Sequence, residues 1–380
     1  MSLTVHPGPG PRGTVTPPGD KSITHRALLL GLISGESVRV VGGNPGADCA
    51  ATRSCAEALG ATARFEDGAW HMLGGTLREP AGPLDCGNSG TTLRLLAGVL
   101  AGQPFRSQLF GDASLLRRPV DRVIAPLRLM GATLTASAGD RLPPLSITGA
   151  KLRGIEYQLP VASAQVASCL LFAGMFAEGR TCVRVPGPAR DHTERMLRAA
   201  GVVLEWEDLA GGAREVAVVG PCRAHGLEVA VPGDFSSAAF FLAAAAATPG
   251  ARVRASSVGL NPSRTGLLDV LEAMGAEVER GALREAAGEP VGGVTVTGPD
   301  RLRPFDIPAG WLPRLIDEVP AWAIAATAAS GTSRLSGAGE LRVKESDRLE
   351  LIASNLLRLG IVARAAGDTL EISGGRPEGG

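Results

Sequence analysis

Rings are scarce in this chain: one Tyr, four Trp and nine Phe among 380 residues. So few leave little surface for stacking nucleic-acid bases. Nor is there an excess of charge of either sign, since 38 Lys and Arg face 38 Asp and Glu, and that balance excludes a general electrostatic grip on nucleic acid. Six cysteines, Cys49, Cys55, Cys86, Cys169, Cys182 and Cys222, show neither a CxxC pair nor a metal-ligand spacing, and read as reduced structural thiols of a cytosolic protein. The opening "MSLTVHPGPGPRG" lacks the apolar core of a signal peptide, and the longest apolar run, residues 238–247, is too short to span a bilayer. The expectation is a soluble, cytoplasmic protein with no membrane partner.

What the chain does have is a repeat. Its length exceeds what one core normally serves, so two domains are expected. Five segments begin with polar or Gly-containing stretches and continue apolar on every face: "DKSITHRALLLGLIS" from Asp20, "NSGTTLRLLAGVLAG" from Asn88, "SAQVASCLLFAGMFA" from Ser163, "DFSSAAFFLAAAAA" from Asp234 and "DEVPAWAIAATAAS" from Asp317. Five one-sided helices alternate with them and stop at Gly60, Gly131, Gly201, Gly275 and Gly360, residues suited to the left-handed turn that ends a helix. Short alternating runs such as "SVRVVG", "TCVRV" and "VTVTG" read as strands. A helix greasy all round belongs deepest, and alternating strands belong in outer sheets with one wet and one dry face. The fold class expected is therefore α/β, an inside-out barrel with buried helices, outer sheets and three pseudo-threefold repeats per domain. A break falls near "VAVPGD". Only five repeats can be counted, so the last is expected to be incomplete.

The polar helix starts carry the chemistry. Each offers free N–H groups and about half a positive charge, a ready anion site. Ordinary capping accounts for Ser, Asp and Asn at such positions, but not for Lys21, Arg26, Gln165 or the Gly-rich "GNSGTT". A nucleotide-binding P-loop is excluded, because "GDKS" lacks the GxxxxGK frame and "GNSGTT" lacks the lysine.

Seven blocks in order, "PGDKSITHRALLL", "GNSGTTLRLLAG", "GDASLLRRPVDRV", "PVASAQVASCLL", "ARDHTERML", "PRLIDEVPA" and "LRVKESDRL", resemble the enolpyruvyl transferases, and among them the 5-enolpyruvylshikimate-3-phosphate synthase family, over essentially the whole chain. The resemblance implies two domains that close over shikimate 3-phosphate and phosphoenolpyruvate. One would comprise residues 1–18 with 232–380, C-terminally incomplete, and the other residues 19–231. It implies transfer of the carboxyvinyl group to the 5-hydroxyl with release of phosphate, by a monomer needing no metal or cofactor. By similarity, Lys21 would lie between both substrates, with Ser22 and Arg26 on the shikimate carboxylate. Ser163, Gln165 and Arg190 would address the shikimate side and its phosphate. Asn88, Gly90, Thr91 and Arg118 would take phosphoenolpyruvate, and Lys344 and Arg348 would complete the clamp. Asp317 would receive the hydroxyl proton and Glu345 would serve the methylene carbon.

Each position has a plainer reading in isolation. "KESDRLELI" suits a helix start with ion pairs along one side, "DEVP" suits a cap, and Arg118 suits the surface. Arg94 reads as a structural arginine that satisfies backbone carbonyls, and His25 and His192 as packed residues. The ordered set outweighs these. Three departures stand out: Ala164 where some members have a second serine, Ala189 where serine is usual, and no C-terminal block with a DHR motif. Two rivals follow. A UDP-N-acetylglucosamine enolpyruvyl transferase would need a cysteine within "GDASLLRRP", which has none. A fragment that binds the anionic substrate without efficient turnover is the other.

Overall fold

The computed structural model describes residues 8–378. Its α-helical segments, in order, are α1 (Lys21–Ile33), α2 (Ala47–Ala58), α3 (Gly90–Ala101), α4 (Asp121–Leu129), the single turn α5 (Ser137–Asp140), α6 (Ala164–Gly174), α7 (His192–Ala199), α8 (Phe235–Ala246), α9 (Gly266–Ala273), α10 (Val319–Thr327) and α11 (Arg348–Arg358). Side-chain caps start four of the apolar helices. Asp20 accepts from Ile23 N at 3.0 Å, Ser89 from Thr92 N at 3.1 Å, Ser163 from Val166 N at 3.4 Å and Asp234 from Ser236 N at 3.2 Å. Each such bond satisfies an N–H that the helix itself leaves without a partner. The five one-sided helices stop as their glycines require, with φ between +75° and +111° at Gly60, Gly131, Gly201, Gly275 and Gly360.

The chain divides into two compact units: residues 18–232 with 285–290, and residues 8–17, 233–284 and 291–378 of the described chain. The first unit carries three four-stranded sheets with one shared plan. An edge strand pairs in parallel with the first strand of a repeat, which pairs antiparallel with the last, which pairs antiparallel with the middle one. The order is Glu228–Ala230, Val38–Val41, Ala69–Leu73, Thr62–Glu66 in one sheet, and Leu84–Asp85, Arg106–Phe110, Leu142–Thr148, Thr133–Ala136 in the next. The third runs Glu156–Gln158, Gly179–Val185, Arg214–Gly220, Leu204–Asp208. In the other unit, Arg12–Val15, Arg252–Gly259, Glu289–Thr297 and Glu277–Arg280 repeat the plan. A final three-stranded sheet, Thr332–Leu335, Thr369–Ser373 and Ala363–Ala366, keeps only a single parallel bridge, Ile307 to Leu335, where the edge strand belongs.

Burial separates the two helix types as their sequences demand. In the first unit every residue of α1 from Ile23 to Ile33 is buried, as is every residue of α3 except Thr91 and of α6 from Val166 onward. Helices α3 and α6 meet where Gly98 lies against the Cys169 carbonyl; a Cβ on Gly98 would come within 2.0 Å of that oxygen. The second unit corrects the expectation of burial on every face. Phe240 and Phe241 on α8 are 51% and 50% exposed and Ile324 on α10 is 43% exposed. The reason is architectural: three sheets surround three apolar helices in one unit, whereas two sheets cover only part of the surface of α8 and α10. No described helix is long and apolar enough to cross a membrane. All six cysteines are free thiols, and burial pushes that of Cys169 up to about 12.

Candidate active site

Within the first unit, the starts of α1, α3, α6 and α7 gather most of the residues singled out above. At α1, Lys21 Nζ donates to Asp48 Oδ2 at 3.0 Å, and Asp48 stands in the first turn of α2. One turn on, Arg26 is buried. Its Nε donates to Thr193 Oγ1 at 2.6 Å, Nη2 to Ser168 Oγ at 2.9 Å and Nη1 to the Ser22 carbonyl at 2.9 Å. Burial pulls its pKa down to about 10, against the attraction of Glu194, so it stays charged at neutral pH. Arg190 lies close enough for its charge to act on Arg26. Arg26 is buried and Arg190 half-buried, and both add positive charge at the starts of α1 and α7, where the helix N-termini also favour an anion.

At α3, Arg118 donates to the Asn88 carbonyl at 3.2 Å, to Asn88 Oδ1 and to Ser114 Oγ at 3.2 Å. Asn88 Nδ2 in turn donates to Asp112 Oδ2 at 2.6 Å, and with the amides of Leu115 and Ser114 it holds that carboxyl below its usual range. Gly90 is the first residue of α3. A Cβ there would lie 2.8 Å from Arg94 Nη1 and 3.5 Å from Arg118 Nη1, so two guanidinium groups flank bare backbone at a helix N-terminus. Arg94 Nη1 donates to Gln165 Oε1 at 2.7 Å, and Gln165 Nε2 donates to Thr91 Oγ1 at 3.0 Å. The arginine thereby sets which way the amide faces. Its other end donates to the Pro119 carbonyl at 3.1 Å, the structural role expected of it.

Behind these groups runs a buried polar layer that local sequence did not reveal. Thr92 donates to the Asp48 carbonyl at 3.4 Å, Thr52 and Thr92 share a 2.6 Å bond, and Thr52 meets His25 Nδ1 at 2.7 Å. His192 Nδ1 meets Glu289 Oε1 at 2.7 Å with both side chains 1% exposed. Asp191, His192 and Glu289 offer donor atoms within 4.8 Å of one another. Arg195 Nε stands 2.9 Å from Asp191, which makes this an ion-pair cluster with a cation already supplied.

In the other unit, Arg348 Nη1 donates to Asp317 Oδ1 at 3.2 Å and Nη2 to Glu345 Oε2 at 2.9 Å, joining both carboxylates through one guanidinium. Lys344 is turned instead to Glu340, at 3.2 Å one helical turn back. Asp347 caps α11 through Glu350 N at 3.0 Å and pairs with Arg342 at 2.6 Å. The ion pairs of the plainer reading are thus present, and Asp317 joins them from α10's entry. Beside it, Glu318 is buried and accepts from Ser236.

The model of the EPSP synthase (3-phosphoshikimate 1-carboxyvinyltransferase) family matches residues 7–379. The chain belongs to the EPSP synthase family. Among relatives, it is 53% identical over 368 residues to a 3-phosphoshikimate 1-carboxyvinyltransferase of Anaeromyxobacter sp. (strain K), covering 96% of this chain and 82% of that protein. To that of Synechococcus sp. (strain JA-3-3Ab) it is 50% identical over 381 residues, covering 99% and 85%. A solved EPSP synthase from Acinetobacter baumannii superposes with a TM-score of 0.84 at 43% identity, over 98% of this chain and 83% of that one. The two-unit arrangement of buried helices and outer sheets is therefore that of the EPSP synthase family.

Proposed function

We propose that this chain transfers the enolpyruvyl group of phosphoenolpyruvate to the 5-hydroxyl of shikimate 3-phosphate and releases phosphate, in aromatic amino-acid biosynthesis. The observation that carries the reading is the convergence of cationic and amide donors at four helix starts of one unit, in a chain that belongs to the family named for this reaction. The two substrates bring about five to six negative charges together. Charge-assisted hydrogen bonds contribute about 1.5–3 kcal/mol each, so several are needed to offset the repulsion.

In this reading Lys21 addresses both substrates, and Ser22 and Arg26 hold the shikimate carboxylate. Arg26 retains N–H donors beyond its three bonds to Thr193, Ser168 and Ser22, since a guanidinium carries five. Ser163 and Gln165 orient the shikimate ring, and Arg190 holds its phosphate. Asn88, Gly90, Thr91 and Arg118 receive phosphoenolpyruvate, supported by the bare backbone at Gly90. Lys344 and Arg348 neutralise phosphoenolpyruvate, which requires each to exchange a protein carboxylate for the carboxylate or phosphate of the ligand. Asp317 takes the proton of the 5-hydroxyl as its oxygen bonds to C2, and Glu345 delivers one to the methylene carbon. In the elimination that carbon gives its proton back and the C–O bond to phosphate breaks. Two carboxylates with different surroundings suit this two-way traffic. The proposal includes a cytoplasmic monomer without nucleic-acid or membrane partners.

The test is phosphate release from phosphoenolpyruvate with shikimate 3-phosphate or UDP-N-acetylglucosamine as acceptor. Release with the first acceptor alone is expected. Release with the second alone, or with neither, contradicts the proposal.

A further inference from the structure

Arg214 opens the strand Arg214–Gly220, yet it is only 6% exposed. Its guanidinium makes two kinds of bond. Towards α7 it pairs with Glu194, itself 1% exposed, with Nε at 3.2 Å and Nη2 at 2.8 Å from one carboxylate oxygen. Towards the segment entering α7 it donates from Nη1 to the Ala189 carbonyl at 2.7 Å and from Nη2 to the Arg190 carbonyl at 2.9 Å. Successive carbonyls of an extended chain point to opposite sides, so their convergence on one planar fork requires a fixed bend at Arg190. Thr193, the residue before Glu194 in the same helical turn, is the acceptor for Arg26 Nε. Two neighbouring positions of α7 are thus tied, one to the arginine that bends the Arg190 backbone and the other to Arg26.

We propose that Arg214, through its pairing with Glu194, is a positioning residue for the acceptor's phosphate, holding the Arg190 backbone in the bend from which its side chain meets that group. Arg214 does not touch the ligand. A lysine cannot replace it fully, because a point-like ammonium cannot span two carbonyls and a carboxylate in one plane. The inference rests on the assignment of Arg190 to the phosphate of shikimate 3-phosphate.

Titration calorimetry on the full chain tests it, with shikimate 3-phosphate and with shikimate, which lacks the phosphate. The variants are Arg190→Met, the pair Glu194→Met with Arg214→Met, and all three together. Removing both charges of the pair avoids a lone buried charge. The pair variant is expected to weaken shikimate 3-phosphate by about tenfold or more while shikimate changes by less than about twofold. Adding the pair to Arg190→Met is expected to cost nothing further, because both changes disable one contact. Unchanged phosphate-ligand affinity in the pair variant, equal weakening of both ligands, or multiplied losses in the triple variant overturns the inference while leaving the function intact. Arg190→Met binding shikimate 3-phosphate as tightly as the parent overturns the assignment of Arg190 and the inference with it. Arg214→Lys, which keeps a charge opposite Glu194, is expected to lose part of the same phosphate selectivity. It decides the matter alone should the pair variant not fold.

Discussion

His25 provides a test that needs no substrate. It sits on α1 between Lys21 and Arg26, is fully buried, and bonds through Nδ1 to Thr52. Thr92 donates to a carbonyl and Thr52 to Thr92, so Thr52 is left to accept the Nδ1–H of a neutral ring. Burial, and then the charge of Lys21, lower the pKa of His25 from 6.5 to about 3, with Asp48 and Asp20 opposing and Arg26 assisting. The direction of the pH effect follows. An unfolded histidine takes up its proton near 6.5 whereas the folded one resists until about 3. Stability attributable to the neutral ring is therefore present above 6.5 and lost as pH falls through the interval, by about 1.4 kcal/mol per pH unit. Between pH 7 and 4.5 the loss amounts to about 2–3 kcal/mol, a large part of a typical domain's margin. His25→Gln retains a neutral side chain of similar reach and removes the titration. In urea unfolding at pH 7, 5.5 and 4.5, the parent should lose about 2–3 kcal/mol more than the variant across the range. Proton–carbon NMR should show the His25 imidazole in its neutral position to below pH 4.5. A His25 midpoint near 6.5, or parallel stability profiles for the two proteins, would refute the reasoning.

Other outcomes follow from the same contacts. Lys21→Met should abolish turnover and weaken both ligands by about tenfold or more; calorimetry showing only one ligand affected would deny the shared role. Glu345→Gln keeps an acceptor oxygen for Arg348, so shikimate 3-phosphate affinity should hold within about twofold while kcat falls by about 10²–10⁴; lost binding would make Glu345 a structural carboxylate. Gly98→Ala gains about 1 kcal/mol in helix propensity but forces α3 away from the Cys169 carbonyl. The net effect should be a loss of about 1–3 kcal/mol, read as a lower thermal midpoint, and an unchanged or raised midpoint would show that the two helices do not approach so closely.

Much of the fold was legible because local chemistry dictates it. Glycines at helix ends need positive φ, carboxylates and hydroxyls at helix starts need a free N–H, and both signals lie within a few residues of what they control. The half-exposed Phe240 and Phe241 were not legible, because an all-apolar helix records that it is greasy and not how many walls stand around it. The same distinction divides the site. Lys21, Arg26 and Gln165 stood out because their charge or amide interrupts an apolar pattern. Asp48 is 27 residues from Lys21, Arg94 is 71 from Gln165, Arg214 is 20 from Glu194 and Glu289 is 97 from His192. Partners so far apart leave no mark in a local pattern.

The assignment of residues 285–290 to the unit formed by 18–232 bears on any attempt to dissect this protein genetically. A clone of residues 18–232 alone would omit Glu289, the acid opposite His192, and the Gly288 carbonyl to which Arg195 donates at 3.2 Å. Both excised groups serve the helix that follows Arg190. An autonomous half-protein would therefore need a grafted hexapeptide as well as the contiguous stretch, and a ligand survey on the shorter clone would report on a damaged α7.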